Sequence, residues 1–316
     1  MKLKIAIVAG GFSSEHDVSL RSAQGIYDAL DKNLFDASII ELPREHNKTL
    51  LASVLHDLQH YDYCYITIHG TPGENGLLQG YLQILGIPFN CCSVLPAALT
   101  FNKYACNHYL SAFGINIAHS MLIRAGEPQP TPQTIVEHLG LPCFIKSNVG
   151  GSSFGCTKVK TLEEVQPAID KAFSEGDEVI CEQIMVGTEV TNGCYATKQG
   201  LVALPVTEVV TSNEFFDYNA KYNGEVQEIT PARIPDDMRD RIQVLTKKIY
   251  RLIGAAGIIR IDYILEGDEI RLLEVNTTPG MTATSFIPQQ IRAAGLDLTT
   301  VLTQLILNTD KSNPLC

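Results

Sequence analysis

The chain has 316 residues, 45% of them apolar and 19% charged, with a formal net charge of −11. That is enough apolar material for two or three ordinary cores, and the acidic balance argues against nucleic acid or an anionic membrane surface as a main partner. No apolar run approaches the roughly 20 residues of a membrane span, and nine cysteines without a CxxC pair predict reduced thiols in the cytoplasm rather than disulfides or a zinc site.

The opening "MKLKIAIVAGG" reads as a first strand running into glycines, not as a signal peptide. A helix follows over "VSLRSAQGIYDAL", beginning near Asp17, then a strand "DASIIEL", a helix "LLASVLHDLQ" and a strand "YCYITIHG". A helix and a short strand over "GLLQGYLQILGIPFNCC" close the unit. Strands separated by helices predict an open parallel α/β sheet, whose ligands gather at the carboxyl ends of the strands. Those ends are the polar loops "AGGFSSEHD" and "HGTPGENG". Further on, "TFNKYACNHYLSAFG" is helical, and "CFIKSNVGGSSFGCTKV" is strand, glycine-serine loop and strand. "TLEEVQPAIDKAFS" is a capped helix whose first turns Pro167 should strain, and "DEVICEQIM" is a strand. The last third holds strands from "TEVTNGCYA" onward, a polar aromatic loop "TSNEFFDYNAKYNGEVQ" and a long helix from "PDDMRDRIQVLTKKIYRLIG". A hairpin "IIRIDYILEGDEIRLLEVN" and a terminal helix "LTTVLTQLILN" complete it. Breaks near residues 92 and 185 divide the chain into 1–92, 93–185 and 186–316.

The hairpin carries the sharpest chemical signal. Residues two apart in a strand share a face. With a three-residue turn at Gly267, Asp268 and Glu269, Asp262 lies opposite Glu274 and Arg260 opposite Asn276, all on one face. Two opposed carboxylates repel and need a cation between them. Two carboxylates and an amide suit Mg²⁺ or Mn²⁺, ions that also take phosphate oxygens and water. The plain alternative is a solvated face with a surface ion pair. The loop "KSNVGGSSFG", headed by Lys146, offers backbone N–H groups to a phosphate but lacks the GK[ST] order of a P-loop, and an ordinary hairpin turn is its alternative. "IVAGGFSSE" has adjacent glycines instead of GxGxxG spacing, which argues against a nicotinamide dinucleotide. Glu15 and His16 stand at the start of the next helix, where a carboxylate can simply meet the helix dipole.

In this order, "GGFSSEHDVSLRSA", "HGTPGENGLLQG", "GGSSFG", "FFDYNAKY", "GIIRIDYIL" and "LLEVNTTPGMTATS" resemble the D-alanine–D-alanine ligases, members of the ATP-grasp fold, over nearly the whole chain. The resemblance implies an α/β, three-domain ATP-grasp architecture: an N-terminal open parallel sheet, then central and C-terminal α+β domains that clamp ATP. It implies ATP-dependent joining of two D-alanines through a D-alanyl phosphate for peptidoglycan precursors. A D-lactate acceptor is the alternative, disfavoured because Tyr222 is present. Asp262, Glu274 and Asn276 resemble ligands of two Mg²⁺ (or Mn²⁺). Arg260 and the N–H of Gly280 resemble an oxyanion hole. Lys103, Lys146 and Ser153 match positions at the nucleotide phosphates, Lys221 the one at the transferred phosphate, and Glu182 and Glu189 those at adenine and ribose. Glu15 matches the acceptor of the first ammonium, with Val18 beside it and Ser152 and Tyr222 as its hydrogen-bond partners. His69 matches an orienting residue, and Ser285 and Phe286 match contacts to the second D-alanine. The polar aromatic loop resembles a lid that excludes water during the reaction. A homodimer through the N-terminal domain is implied too. Two departures stand out: Ser147 where the family commonly has proline, implying a less rigid entry to the glycine loop, and Cys91 and Cys92 in place of small residues, implying altered sensitivity to thiol reagents.

Overall fold

A computed structural model describes residues 1–150, 155–211 and 226–309. In the first sheet β1 (Leu3–Gly10) lies between β2 (Phe35–Leu42) and β3 (Tyr63–Ile66), all parallel. Ile5, Ala6, Ile7, Val8 and Ala9 are completely buried, as a strand covered on both faces requires. The helices of this unit are α1 (His16–Ala29), α2 (Lys48–Asp57) and α3 (Leu77–Leu85). The short strand expected after α3 does not form; Phe89 makes one isolated bridge with Cys64.

The stretch after it is two helices, α4 (Val94–Phe101) and α5 (Lys103–Ser111). The break is Asn102, extended at φ −93° and ψ 101°, whose side chain accepts the N–H of Ala105 and so starts α5 anew.

The second sheet is antiparallel, with strands β4 (Ser120–Arg124), β5 (Cys143–Ser147), β6 (Thr157–Val159) and β7 (Glu178–Gln183) in the order β4-β7-β5-β6. Helices α6 (Pro132–Leu139) and α7 (Val165–Phe173) pack on it. Before α7 comes a 3-10 turn, Leu162–Glu164, closed by a reciprocal cap between Thr161 and Glu164. Pro167 therefore falls in the first turn of α7, where an N–H has no acceptor within the helix; the expected strain is absent.

The third sheet holds β8 (Thr188–Thr197), β9 (Gly200–Ala203), β10 (Thr207–Thr211), β11 (Val226–Ile229), β12 (Ile258–Glu266) and β13 (Glu269–Asn276). Their order is β11-β10-β8-β12-β13, with β9 paired to β8. Helices α8 (Asp236–Leu252), α9 (Phe286–Ala293) and α10 (Leu298–Asn308) complete the described fold. One apolar cluster joins α4, α5 and α8 to this sheet through Ala97, Leu110, Ile249 and Ile261. Another joins the first sheet to α9 and α10 through Ile5, Ile7, Ile287 and Leu302. The last helices thus return to the first strands, which brings the ends of β1 and β3 close to the hairpin.

Candidate active site

The hairpin reaches the expected pairing by a different route. Its turn has two residues, Gly267 and Asp268, with Glu266 opposite Glu269; Gly267 takes the positive φ of 60° that such a turn needs. A bulge between Asp262 and Tyr263 in the register then shifts the pairing by one, so Asp262 faces Glu274 and Arg260 faces Asn276. The shorter turn and the bulge cancel.

The cation between the opposed acids is, in the protein alone, Arg260. Its Nε lies 2.9 Å from Asp262 Oδ1 and its Nη2 2.6 Å from Oδ2, a two-pronged pair buried on both sides. Nη2 also lies 3.7 Å from Glu274 Oε1, and the guanidinium sits 5.4 Å from the centre of the Phe286 ring. Burial works against the arginine's charge, but Asp262 first, then Glu274 and Glu189, hold it protonated. Glu189, opposite Ile264, shares the face of Asp262. Burial, then the charges of Asp262 and Glu274, push its carboxyl up to about 8 against the pull of Arg260.

Lys103, the first residue of α5, extends this line of alternating charge: its Nζ is 3.9 Å from Glu274 Oε2 and donates to the carbonyl of Gly150 at 2.6 Å. Lys146 pairs with Glu182 at 2.5 Å between β5 and β7. A network outside the predicted residues moors the start of the glycine loop. Tyr104 N–H donates to Asn148 Oδ1 at 2.8 Å; Asn102 and Asn148 donate to Glu178 Oε2 at 3.0 and 2.7 Å; and Arg124 Nε donates to Oε1 at 2.8 Å. Burial alone would raise the Glu178 carboxyl, yet the hydrogen bonds from Arg124, Asn148 and Asn102 bring it below its ordinary value. Ser147, in the place of the family's proline, donates its hydroxyl to the carbonyl of Val149 at 2.9 Å, a fastening where a looser entry was expected.

On the N-terminal side, Glu15 is buried at the N-cap of α1, where its carboxylate makes no cap hydrogen bond to that helix but stands at the positive end of the helix dipole. Val18 is half-buried on the first turn of the same helix. The carbonyl of buried His69 accepts the hydroxyl of Ser13 at 2.8 Å, tying the two glycine-containing loops together. Glu74 in the second loop accepts the N–H of Gly70 at 2.7 Å. Burial pushes its carboxyl up to about 8, with the charges of Glu15 and Glu274 adding and the Gly70 N–H and Lys103 opposing. Apart from its place in "HGTPGENG", nothing in the sequence distinguishes Glu74.

A third loop, after β13, lies against α1 and the start of α9. Asn276 Oδ1 accepts the N–H of Thr278 at 3.1 Å, which orients its amide, and Met281 N–H reaches Ser22 on α1 at 3.2 Å. Gly280 lies against Ser285, the N-cap of α9, where a Cβ would come within 2.9 Å of Ser285 Oγ. That hydroxyl accepts the N–H of Thr282 at 3.1 Å and sits 2.7 Å from its Oγ1. Ser152, Ser153, Lys221, Tyr222 and residues 212–225 of the polar aromatic loop lie outside the described residues. Cys91 and Cys92 are buried beside Gln79 and Ala256, and burial pushes both thiols up to about 12, which makes them unreactive rather than sensitive. An open surface hollow of about 470 Å³, lined by Asn116, Val244 and Lys248 among others, gathers none of the predicted residues.

Among the described residues no three His, Cys, Asp or Glu side chains could hold a metal ion by themselves. The hairpin does place two carboxylates and an amide, Asp262, Glu274 and Asn276, at facing positions, and oxygen donors of this kind suit Mg²⁺, which also takes phosphate oxygens and water.

The family models described as D-ala D-ala ligase N-terminus and C-terminus match residues 4–53 and 109–307. The chain belongs to the D-alanine–D-alanine ligase family. A D-alanine–D-alanine ligase from Phocaeicola vulgatus is 55% identical over 323 residues, which cover 98% of this chain and 99% of the relative. Among solved structures, a D-Ala:D-Ser ligase from Enterococcus faecalis superposes with a TM-score of 0.83 at 30% identity, covering 97% of this chain and 99% of that one. A D-alanine–D-alanine ligase from Bacillus anthracis complexed with ATP gives 0.83 at 25% identity over 96% of each chain. The neighbours share the ATP-grasp fold, so the three sheets described above are those of an ATP-grasp ligase.

Proposed function

We propose that this ligase joins two molecules of D-alanine to D-alanyl-D-alanine with ATP, releasing ADP and phosphate, for peptidoglycan precursors. The observation that carries the reading is the line of charge Asp262–Arg260–Glu274–Lys103, which runs from β12 to the glycine loop beside the Gly280–Ser285 turn. Phosphoryl transfer asks for this kind of positioned charge more than for a protein nucleophile.

In the proposed sequence a carboxylate oxygen of the first D-alanine takes the γ-phosphoryl group, and ADP leaves. Lys103, Lys146 and Ser153 are assigned to the nucleotide phosphates and Lys221 to the transferred one; Glu182 and Glu189 are assigned to adenine and ribose. Asp262, Glu274 and Asn276 would hold two divalent ions, Mg²⁺ or Mn²⁺, which supply charge neutralisation on the triphosphate. Glu15 accepts from the first ammonium, with Val18, His69, Ser152 and Tyr222 around it. The amine of the second D-alanine, its carboxylate held at Ser285 beside Phe286, attacks the acyl carbon. The developing oxyanion meets Arg260 and the N–H of Gly280, and phosphate leaves as its C–O bond breaks.

The polar aromatic loop as a lid, two copies associating through the N-terminal unit, and the divisions near residues 92 and 185 belong to the same proposal. So does a cytoplasmic location, where ATP is available. It is supported by eight free cysteines among the described residues, and no helix among them is long and apolar enough to cross a membrane.

The test is ATP-dependent condensation at neutral pH with D-alanine alone and with D-alanine plus D-lactate. The dipeptide should dominate, and a strong preference for the ester would overturn the choice of acceptor. Glu274→Gln should lower turnover roughly 100-fold or more while leaving the melting temperature nearly unchanged; full activity would remove the metal assignment. Glu274 is the better position to change, because losing Asp262 removes the two-pronged hydrogen-bond partner of buried Arg260 and leaves it only the longer 3.7 Å contact with Glu274, at about 3–5 kcal/mol of fold stability.

A further inference from the structure

Gln290 is completely buried on α9, five residues beyond Ser285, and is no part of the assigned chemistry. Its amide spans the gap in the third sheet between the end of β9 and the start of β10. The Oε1 accepts the N–H of Gly193 at 2.9 Å, and the Nε2 donates to the carbonyl of Thr191 at 3.1 Å and to Thr207 Oγ1 at 3.0 Å. All three partners belong to strands, and Thr191 and Thr207 are as fully enclosed as Gln290. A buried amide with both its hydrogens and its oxygen engaged fixes the position of whatever carries it.

What it fixes is the spacing between two halves of the site. Gly193 is the partner of Arg260 in the β8–β12 register, and Thr191 is the partner of Asp262. On the other side, α9 begins at Ser285 and Phe286, and the Phe286 ring lies against the Arg260 guanidinium. The approach is close because residue 193 is glycine: a Cβ there would lie 2.6 Å from Ile287 Cδ1 and 2.7 Å from Gln290 Oε1. We infer that Gln290, seated on Gly193, is a positioning residue that sets the distance from Ser285 to Arg260 and thereby the affinity for the acceptor amino acid. The inference rests on the ligase reading with Ser285 at the second D-alanine.

Two variants press on the contact from opposite sides. Gln290→Met keeps the volume of the side chain and removes its three bonds; Gly193→Ala keeps those groups and wedges α9 away. Each should raise the KM for the second D-alanine about tenfold, with the KM values for ATP and for the first D-alanine held within about twofold. Ile287→Val is the control for simple loosening of α9: it trims the packing, leaves the three bonds, and should leave the second KM unchanged. Should Gln290→Met and Gly193→Ala keep the wild-type second KM and differ only in melting temperature, Gln290 is structural and the inference is lost. Ser285→Ala separates the two levels. A second KM that moves in Ser285→Ala but not in Gln290→Met or Gly193→Ala sinks the inference alone; one that moves in none of them sinks the assignment of Ser285. If Gln290→Met does not fold, Gly193→Ala against Ile287→Val decides.

Discussion

A carboxylic acid that stays protonated at neutral pH can donate a hydrogen bond as well as accept one, and burial pushes Glu74 toward that state. Its folded value of about 8 stands above the 4.5 of a free glutamate, so the folded state holds more proton than the unfolded state between those values. Stability from this group is therefore complete below about 4.5 and is lost as pH rises toward about 8. Denaturant unfolding of the nucleotide-free ligase between pH 5 and 8 should show that decline, and Glu74→Gln should flatten it by up to about 1.4 kcal/mol per pH unit. An unchanged slope in the variant would mean that Glu74 is ionised in the fold. Glu189 contributes with the same sign. Residues of this kind divide into legible and illegible. Arg260, Asp262, Glu274 and Asn276 could be grouped on one face because polar residues two apart interrupt apolar strands. Gln290 could not, since a glutamine in an amphipathic helix reads as its wet side until the sheet gap that receives it is known.

At the scale of elements, the alternation of strands and helices in the first unit was readable because each buried parallel strand is a short apolar run. The hairpin shows why register is harder. A two-residue turn in place of three shifts every pairing by one, and only the bulge on the β13 side restores the expected partners. The bulge has no mark in the sequence. The break at Asn102 had a mark, an asparagine followed by helix formers, but a cap inside an apolar helical pattern is outweighed by the periodicity around it. One surface also stands out at this scale. Leu77 and Ile84 on α3 and Leu95 on the neighbouring α4 are 63%, 84% and 75% exposed, apolar side chains that the proposed association of two copies would cover. Sedimentation should show a dimer for the wild type and a monomer for Ile84→Glu with Leu95→Glu, with little change in melting temperature; a monomeric wild type would dismiss the patch as an interface.

Across the whole molecule the first and third sheets are tied by clusters that ignore chain order, α4 and α5 sharing a core with the third sheet and α10 packing with the first, while the second sheet keeps a cluster of its own. Gly257, at φ 69°, meets the chain around Asn90 so tightly that a Cβ there would lie 1.7 Å from the carbonyl oxygen of Asn90. The Asn90 side chain in turn accepts from Ile66 N–H at 2.6 Å and donates to Ile66 O at 3.2 Å, at the end of β3. Gly257→Ala should cost about 2–4 kcal/mol, from the left-handed backbone and the collision together, read as a lower denaturation midpoint; an unchanged midpoint would mean the two segments separate freely.

The meeting of Asn90 with a bare backbone also bears on how such ligases can be recombined. A chimera cut at the proposed division near residue 92 would take one side of this contact from each parent, and any drift in the loop on either side would leave the pieces unable to close. The workable exchange carries the 88–92 and 254–258 segments from the same parent, so that both sides of the contact are inherited together although more than 150 residues of chain separate them.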